Sequence, residues 1–560
     1  PLLMDIAADP AFARAIAERV ADHLTAVGIE QLRRWDLCET GIWIYDDMAC
    51  NRGPIFSPEQ FEKVFLPAYR RMIAAYKHAP PAAYEKWRDL KYGLRIHWGY
   101  YCLLGCEASW AVRGMSNQKK QEYFELYRKF NPKQFDAEKW MDLFERCGLK
   151  FFTITTKHHD GFCMWDTKTR VKRRVDYAAA GGPKIEECDM AYSVMDAPIR
   201  RDLVKELCDA AHKRGIAIDL YFSHIDWFDP DFRMDPLHTF HDPKYTSRRH
   251  DPEAYARMVK RHRRQILELL SSYGPIDMMC LDIQLPGFCW PDLKETIMLA
   301  RKASPNTLFR KRGIGAYGEY QTPENWIPSG AGTDDRRVTR PWMVIHTLSG
   351  QFAYDRDGSR YRSGEWIVSR LIDIVAKGGN FMVSIGPDGQ GRFHPKAIEH
   401  LQYAGDWLRV NGEAIYNTPP WVHYKEGEQV RYTQGKDKRH VYAISVSWPG
   451  ERLNLKLVRP RKRNDDPLRG TFCHFVDGQS WQIALPNGKY EVTVCVGDVA
   501  YGAKPTINVE GVKFCTELPL NKSTRTITKA VELKDGKLTI DNGRSTGRQT
   551  KICCVEIVRQ

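Results

Sequence analysis

The chain has 560 residues, 43% of them hydrophobic and 28% charged, an ordinary balance for a globular protein of two to four domains, one of them large. No run of about 18 apolar residues occurs, so neither a membrane-spanning helix nor a membrane partner is expected. The net charge of +14 would suit nucleic acid or acidic polysaccharides. The basic runs at 168–174, 260–265 and 459–463 carry no interleaved aromatic residues, however, and no nucleic-acid partner is expected.

The first 83 residues precede the alternating pattern and are expected to form a short helical accessory extension. Pro1 is not followed by a signal-like apolar core, and no compartment is assigned. From residue 92 onward, apolar runs alternate with amphipathic helical patterns. The strands are expected at "YGLRIHWGYY" (92–101), "GLKFFTITT" (148–156), "GIAIDLYFS" (215–223), "IDMMCLD" (276–282), "TLFRKR" (307–312), "WMVIHTL" (342–348) and "NFMVSIGP" (380–387). Between them lie helices such as 251–274, opened by Asp251-Pro252 and closed by Gly274. Repeated alternation of this kind implies a parallel sheet, and seven or eight units would close a (β/α)₈ TIM-like barrel.

Polar residues stand where these strands end: His97-Trp98, then His158-His159-Asp160, then Tyr221 and His224, then Asp282, then Arg310 and Arg312. Adjacent strand residues point to opposite faces, so the histidine pair suits a strand terminus, where the backbone turns and both rings reach one pocket. The chemistry of such barrels sits at that end. A metal site at His158, His159 and Asp160 is the lesser reading, because adjacent histidines lack a separately placed third ligand. After residue 418 the period changes to two ("RHVYAISVSW", "GKYEVTVCVG"), the pattern of an antiparallel β-sandwich. The expected organisation is therefore 1–83, an accessory extension; 84–418, an α/β barrel; and 419–560, the sandwich. The 15 cysteines include no C-x-x-C pair, so no metal ribbon is expected.

A polar pocket with a carboxylate at a strand end suits sugar hydrolysis. Retaining glycosidases need one carboxylate to attack the anomeric carbon and a second, ~5–5.5 Å away, to protonate the leaving oxygen. Asp282 ends "MMCLD" and is the candidate nucleophile; a strand-end cap or an ion pair is its plainer reading.

The stretches "WRDLKYGLRIHWGYY", "KFFTITTKHHDGFCMWDTK", "YFSHIDWFDP", "KGGNFMVSIGPDGQGRF" and "WLRVNGEAIYNT" make residues 84–418 resemble glycoside hydrolase family 29, the α-L-fucosidases. The resemblance implies a retaining hydrolase with no metal or organic cofactor, acting on terminal α-L-fucose of a fucosylated oligosaccharide or glycan. It implies Asp282 as nucleophile, although the flanks "CLDIQ" differ from the family's usual stretch. It implies Glu324, in the "TPE" triplet a dozen positions after Arg312, as acid/base, with Glu319 as runner-up. Apolar contact with Tyr320 and Trp326 would raise the Glu324 pKa. His97, His158, His159, Trp110, Tyr221 and Arg312 are implied as sugar contacts. The acid the family often places before Ser109-Trp110 is replaced by Ala108, with Glu107 one position earlier. A catalytically inactive glycan-binding protein on the same barrel is the rival reading.

The two ends resemble other families. Residues 42–73 ("IWIYDDMACNRGPIFSPEQFEKVFLPAYRRMI") are similar to a fragment of the uroporphyrinogen decarboxylase-like family, and 459–560 to malectin or galactose-binding-like β-sandwiches.

Overall fold

The computed structural model describes residues 10–35, 49–50, 53–54, 63–64, 79–242, 250–332, 334–437, 440–446, 452–455, 473–475, 480–498, 501–543 and 550–560. Most of the decarboxylase-like stretch therefore lies outside the described residues; ahead of it runs a helix over Pro10–Trp35.

Seven parallel strands form the central sheet: β1 (Tyr92–Ile96), β2 (Phe151–Lys157), β3 (Ala217–Ser223), β4 (Met278–Asp282), β5 (Leu308–Phe309), β6 (Met343–Thr347) and β7 (Asn380–Ile385), in the order β6-β7-β1-β2-β3-β4-β5. Every residue of these strands is buried. That is why they read as continuous apolar runs rather than alternating ones. Besides the short helix Asn117–Phe124, the helices between them are α1 (Ala137–Arg146), α2 (Leu203–Arg214), α3 (Pro252–Ser271), α4 (Trp290–Ala303), α5 (Gly364–Ala376) and, after β7, α6 (Pro395–Asn411). Their starts follow capping chemistry. Asp136, Asp202 and Asp251 each accept a backbone N–H of the first turn, and Pro252 occupies the first helical position of α3.

An eighth regular strand is not among the described elements. The segment 319–325 instead spans the two edges of the sheet. Arg310 pairs with Tyr320, Gln321 with Trp342 and Glu324 with Ile345, all in parallel sense. Lys311 N donates to Tyr320 O at 2.8 Å and Ile345 N to Pro323 O at 2.9 Å. Pro323 lacks a donor and Asn325 is left-handed at φ 59°, so this segment cannot sustain a regular ladder.

The N-terminal ends of the strands are sealed. Trp87, on the helix Pro81–Asp89, packs with Phe151, Ala217, Met278, Leu308 and Met343, the opening residues of β2 to β6 (Leu308 opening β5). The polar groups are left at the opposite end.

Past residue 418 two further sheets share one core, with Tyr432 and Ile483 from the first and Val492 and Val555 from the second. The strand His440–Ser445 faces both ways: Tyr442 and Ile444 belong to the core of the central sheet, Ala443 to the second core. The first of these sheets is mixed rather than wholly antiparallel, because His440–Ser445 pairs parallel with Ser480–Ala484. Between those two strands the chain visits the other sheet at Arg452–Leu455, so it re-enters from the same end.

Candidate active site

Alternate strand residues face one side, and the inward set of β1 to β5 forms two layers. The lower layer holds Arg95, Thr153, Asp219, Cys280 and Arg310. Thr153 donates to Asp219 at 2.7 Å, Arg310 Nη1 donates to Cys280 Sγ at 2.8 Å, and the Arg95 guanidinium lies over the Tyr221 ring at 4.6 Å. Two residues beyond Arg95, Asp219, Cys280 and Arg310 come His97, Tyr221, Asp282 and Arg312, the upper layer, with His97 and Arg312 just past the ends of β1 and β5.

Asp282 is 6% exposed. Its Oδ2 accepts from the Tyr221 hydroxyl at 2.7 Å and its Oδ1 from Arg312 Nη1 at 2.8 Å. The same Nη1 lies 2.9 Å from Glu324 Oε1, which also accepts from Arg310 Nη2 at 2.9 Å. One nitrogen thus holds both carboxylates, and their oxygens are no further apart than two hydrogen bonds laid end to end. Burial pushes the Asp282 carboxyl up, but Arg310, Arg312 and the Tyr221 hydroxyl overcome this and hold it well below the usual carboxylate range. Glu324 departs from expectation. Burial raises it, yet Arg310 and Arg312 dominate and hold it below its ordinary value. Tyr320, expected beside it, packs instead against Trp87 at 5.1 Å.

The three histidines converge. His97 and His158 lie 5.1 Å apart by ring centroids, His158 and His159 4.0 Å. His158 Nδ1 pairs with Ser109 Oγ, and His159 Nδ1 with Ser223 Oγ at 2.7 Å. Each anchor leaves Nε2 as the second polar atom of the ring. Burial holds His97 and His158 well below the ordinary imidazole value and His159 down at about 4, so all three are neutral at pH 7. A neutral imidazole offers one donor and one acceptor, as vicinal hydroxyls require. Trp110 stands edge-on to His159 at 4.8 Å, and Phe352 lies 5.5 Å from His97.

Some sequence-picked residues lie elsewhere. His224 turns into the wall, with Nδ1 2.9 Å from His262 Nε2. Trp98 packs among Phe130, Phe135 and Trp140 in the core. Asp160 accepts from Tyr123 at 3.0 Å and from Phe162 N at 3.2 Å. Glu319 faces away from Asp282, accepting from Phe309 N at 2.7 Å and Ala79 N at 2.8 Å and pairing with Arg301. Glu107 accepts from Phe352 N at 2.7 Å. Sequence reasoning gave Arg310 no role of its own, though its two-residue spacing from Arg312 signals a shared face. Phe352 and Ser223 carried no signal.

The α-L-fucosidase family model matches residues 71–413. The plasma α-L-fucosidase of Pongo abelii is 27% identical over 386 residues, 65% of this chain and 76% of that protein. The tissue α-L-fucosidase of Homo sapiens is 26% identical over 387 residues, 64% and 75%. Among solved structures, α-L-fucosidase isoenzyme 1 from Paenibacillus thiaminolyticus aligns with a TM-score of 0.56 at 20% identity, covering 85% of this chain and 99% of that one. A Thermotoga maritima α-fucosidase in complex with fucose aligns at 0.52 and 21%, covering 87% and 98%. These last two similarities concern the fold.

Proposed function

We propose, from the premise that this chain belongs to the α-L-fucosidase family and is a glycoside hydrolase, that it is a retaining exo-α-L-fucosidase acting through a covalent fucosyl-enzyme intermediate. The observation that carries the reading is Arg312 Nη1, within hydrogen-bond reach of both Asp282 and Glu324. The resulting separation suits the ~5–5.5 Å of a retaining pair.

Asp282 attacks the anomeric carbon as the glycosidic C–O bond breaks, and Glu324 gives its proton to the departing oxygen. Glu324 then takes a proton from water, whose oxygen attacks the same carbon, releasing fucose and regenerating Asp282. Tyr221 and Arg312 keep Asp282 ionised and aimed. His97, His158 and His159 exchange hydrogen bonds with the ring hydroxyls, while Trp110 and Phe352 suit the apolar edge and methyl of a deoxy sugar. We read the central sheet with its bridging segment 319–325 as a (β/α)₈ barrel and the two later sheets as a β-sandwich. The boundaries at 84 and 419 are part of the same proposal.

The test is release of 4-nitrophenol from 4-nitrophenyl α-L-fucoside by wild type and by Asp282→Gly, with and without azide. Turnover lost in the variant by ~10³-fold or more, and restored by azide as the inverted fucosyl azide, is expected. Tight fucose binding without turnover would support the inactive glycan-binding reading instead. Turnover surviving Asp282→Gly would exclude Asp282 as nucleophile.

A further inference from the structure

A cavity of about 680 Å³ adjoins Glu324, a size ordinary for a ligand site. Glu324 and Arg312 line it; Trp290, Tyr317 and Trp326 supply aromatic surface, and Lys311 and Arg337 line it as well. None of His97, His158 and His159 lines it. If Glu324 protonates the leaving oxygen, the group attached to that oxygen departs into this cavity. The inference below therefore rests on the fucosidase reading.

Its charges are unequal. Lys311, Arg312 and Arg337 line it, with Glu324 as the one acid. Arg312 is engaged by Asp282 and Glu324. Arg337 grips Asp335 through two donors at 2.7 and 3.0 Å while its guanidinium covers the Trp326 ring at 4.2 Å. Lys311 is different. Its ammonium reaches Thr339 Oγ1 at 3.2 Å, and among the described residues it pairs with no carboxylate. An aromatic-walled site with one unanswered cation suits a ring that carries an anion. Such a ring would meet the aromatic surface through its apolar face and Lys311 through its anion.

We propose that this cavity binds the leaving-group sugar, that the preferred sugar carries an oxyanion, a sulfate ester or a carboxylate, and that Lys311 is the residue that selects it.

The experiment compares kcat/KM for fucosylated disaccharides identical except at the reducing sugar, which is neutral, sulfated or carboxylated. The wild type is expected to prefer at least one anionic member about five- to tenfold, the worth of one partly screened charge pair. Preference for the sulfate or for the carboxylate identifies the source of the oxyanion. Added salt should shrink the ratio. Lys311→Gln should bring the ratio close to one, and Lys311→Arg should retain it. Because the readout is a ratio within each protein, a general loss of activity does not imitate it. A ratio of one in the wild type, or one unchanged in Lys311→Gln, overturns the proposal while leaving the fucosidase reading intact. Failure to cleave any of the disaccharides and 4-nitrophenyl α-L-fucoside overturns both.

Discussion

Tyr221 on β3, fully buried, donates its hydroxyl at 2.7 Å to Oδ2 of Asp282 on β4, which keeps only a sliver of exposed surface. A hydrogen bond to a buried charge contributes about 1.5–3 kcal/mol. Tyr221→Phe is therefore expected to lower kcat/KM for 4-nitrophenyl α-L-fucoside about 10- to 150-fold. The acid limb of its pH profile should move upward, because the Asp282 carboxylate loses a donor that favours its charged form. A variant with wild-type rate and limb would exclude this role for the tyrosine.

Glu324 in the free enzyme is a carboxylate held by Arg310 and Arg312, with its pKa below the ordinary value. A general acid must carry a proton, so the basic limb of kcat/KM, which reports the free enzyme, is expected at low pH. A bound leaving group in the adjoining cavity would separate Glu324 from the guanidiniums and exclude water. The basic limb of kcat is then expected at higher pH than that of kcat/KM. Arg310→Met should move the kcat/KM limb upward, since one cation is gone. Coincident limbs in wild type would show that the substrate leaves the ion pairs in place.

The turn that carries the histidine pair depends on Gly161. Its φ is +82°, and a Cβ there would stand 2.0 Å from Asp226 Oδ1. Asp226 cannot retreat freely, because Arg261 Nη1 holds its Oδ2 at 2.5 Å in the buried interior. Gly161→Ala is expected to destabilise by about 1–3 kcal/mol and to reduce kcat by up to about 10²-fold through displacement of His159. Gly181→Ala is the control: its φ is also positive, but nothing lies within 4 Å of the added carbon. Equal thermal midpoints and rates for the two variants would refute the steric account.

Asp160, buried beside Tyr123, is pushed up to about 7 by burial, against the Phe162 N–H and the Tyr123 hydroxyl. Unfolded, an aspartate titrates near ~3.9. Between these values the folded state binds more protons than the unfolded, so this group's contribution to stability declines as pH rises towards 7. Asp160→Asn does not ionise. Relative to wild type its stability should improve by on the order of 1 kcal/mol per pH unit from about pH 4 to pH 7, then level off. Thermal midpoints of both proteins at pH 5 and pH 8 test this, and an unchanged difference would place the carboxyl's titration outside that window.

The strands and helices of the central sheet, the histidine pair at the end of β2 and the carboxylate at the end of β4 were all legible in the sequence. Each is a local signal: a buried run, an N-cap followed by Pro252, a polar residue where an apolar run stops. Such signals depend on a few neighbouring residues and survive whatever the rest of the chain does.

What only the tertiary structure decided is which polar groups meet. Glu319 and Glu324 are five positions apart in one loop, yet one pairs with Arg301 and the other with Arg310 and Arg312. His159 and His224 both follow strand ends, yet one faces the pocket and the other His262. The direction of the Glu324 shift turned on two arginines that start from another strand end. Local periodicity sets the face on which a side chain emerges. The partner across that face is set by strand order, register and the path of the bridging segment 319–325, and so by contacts distant in sequence.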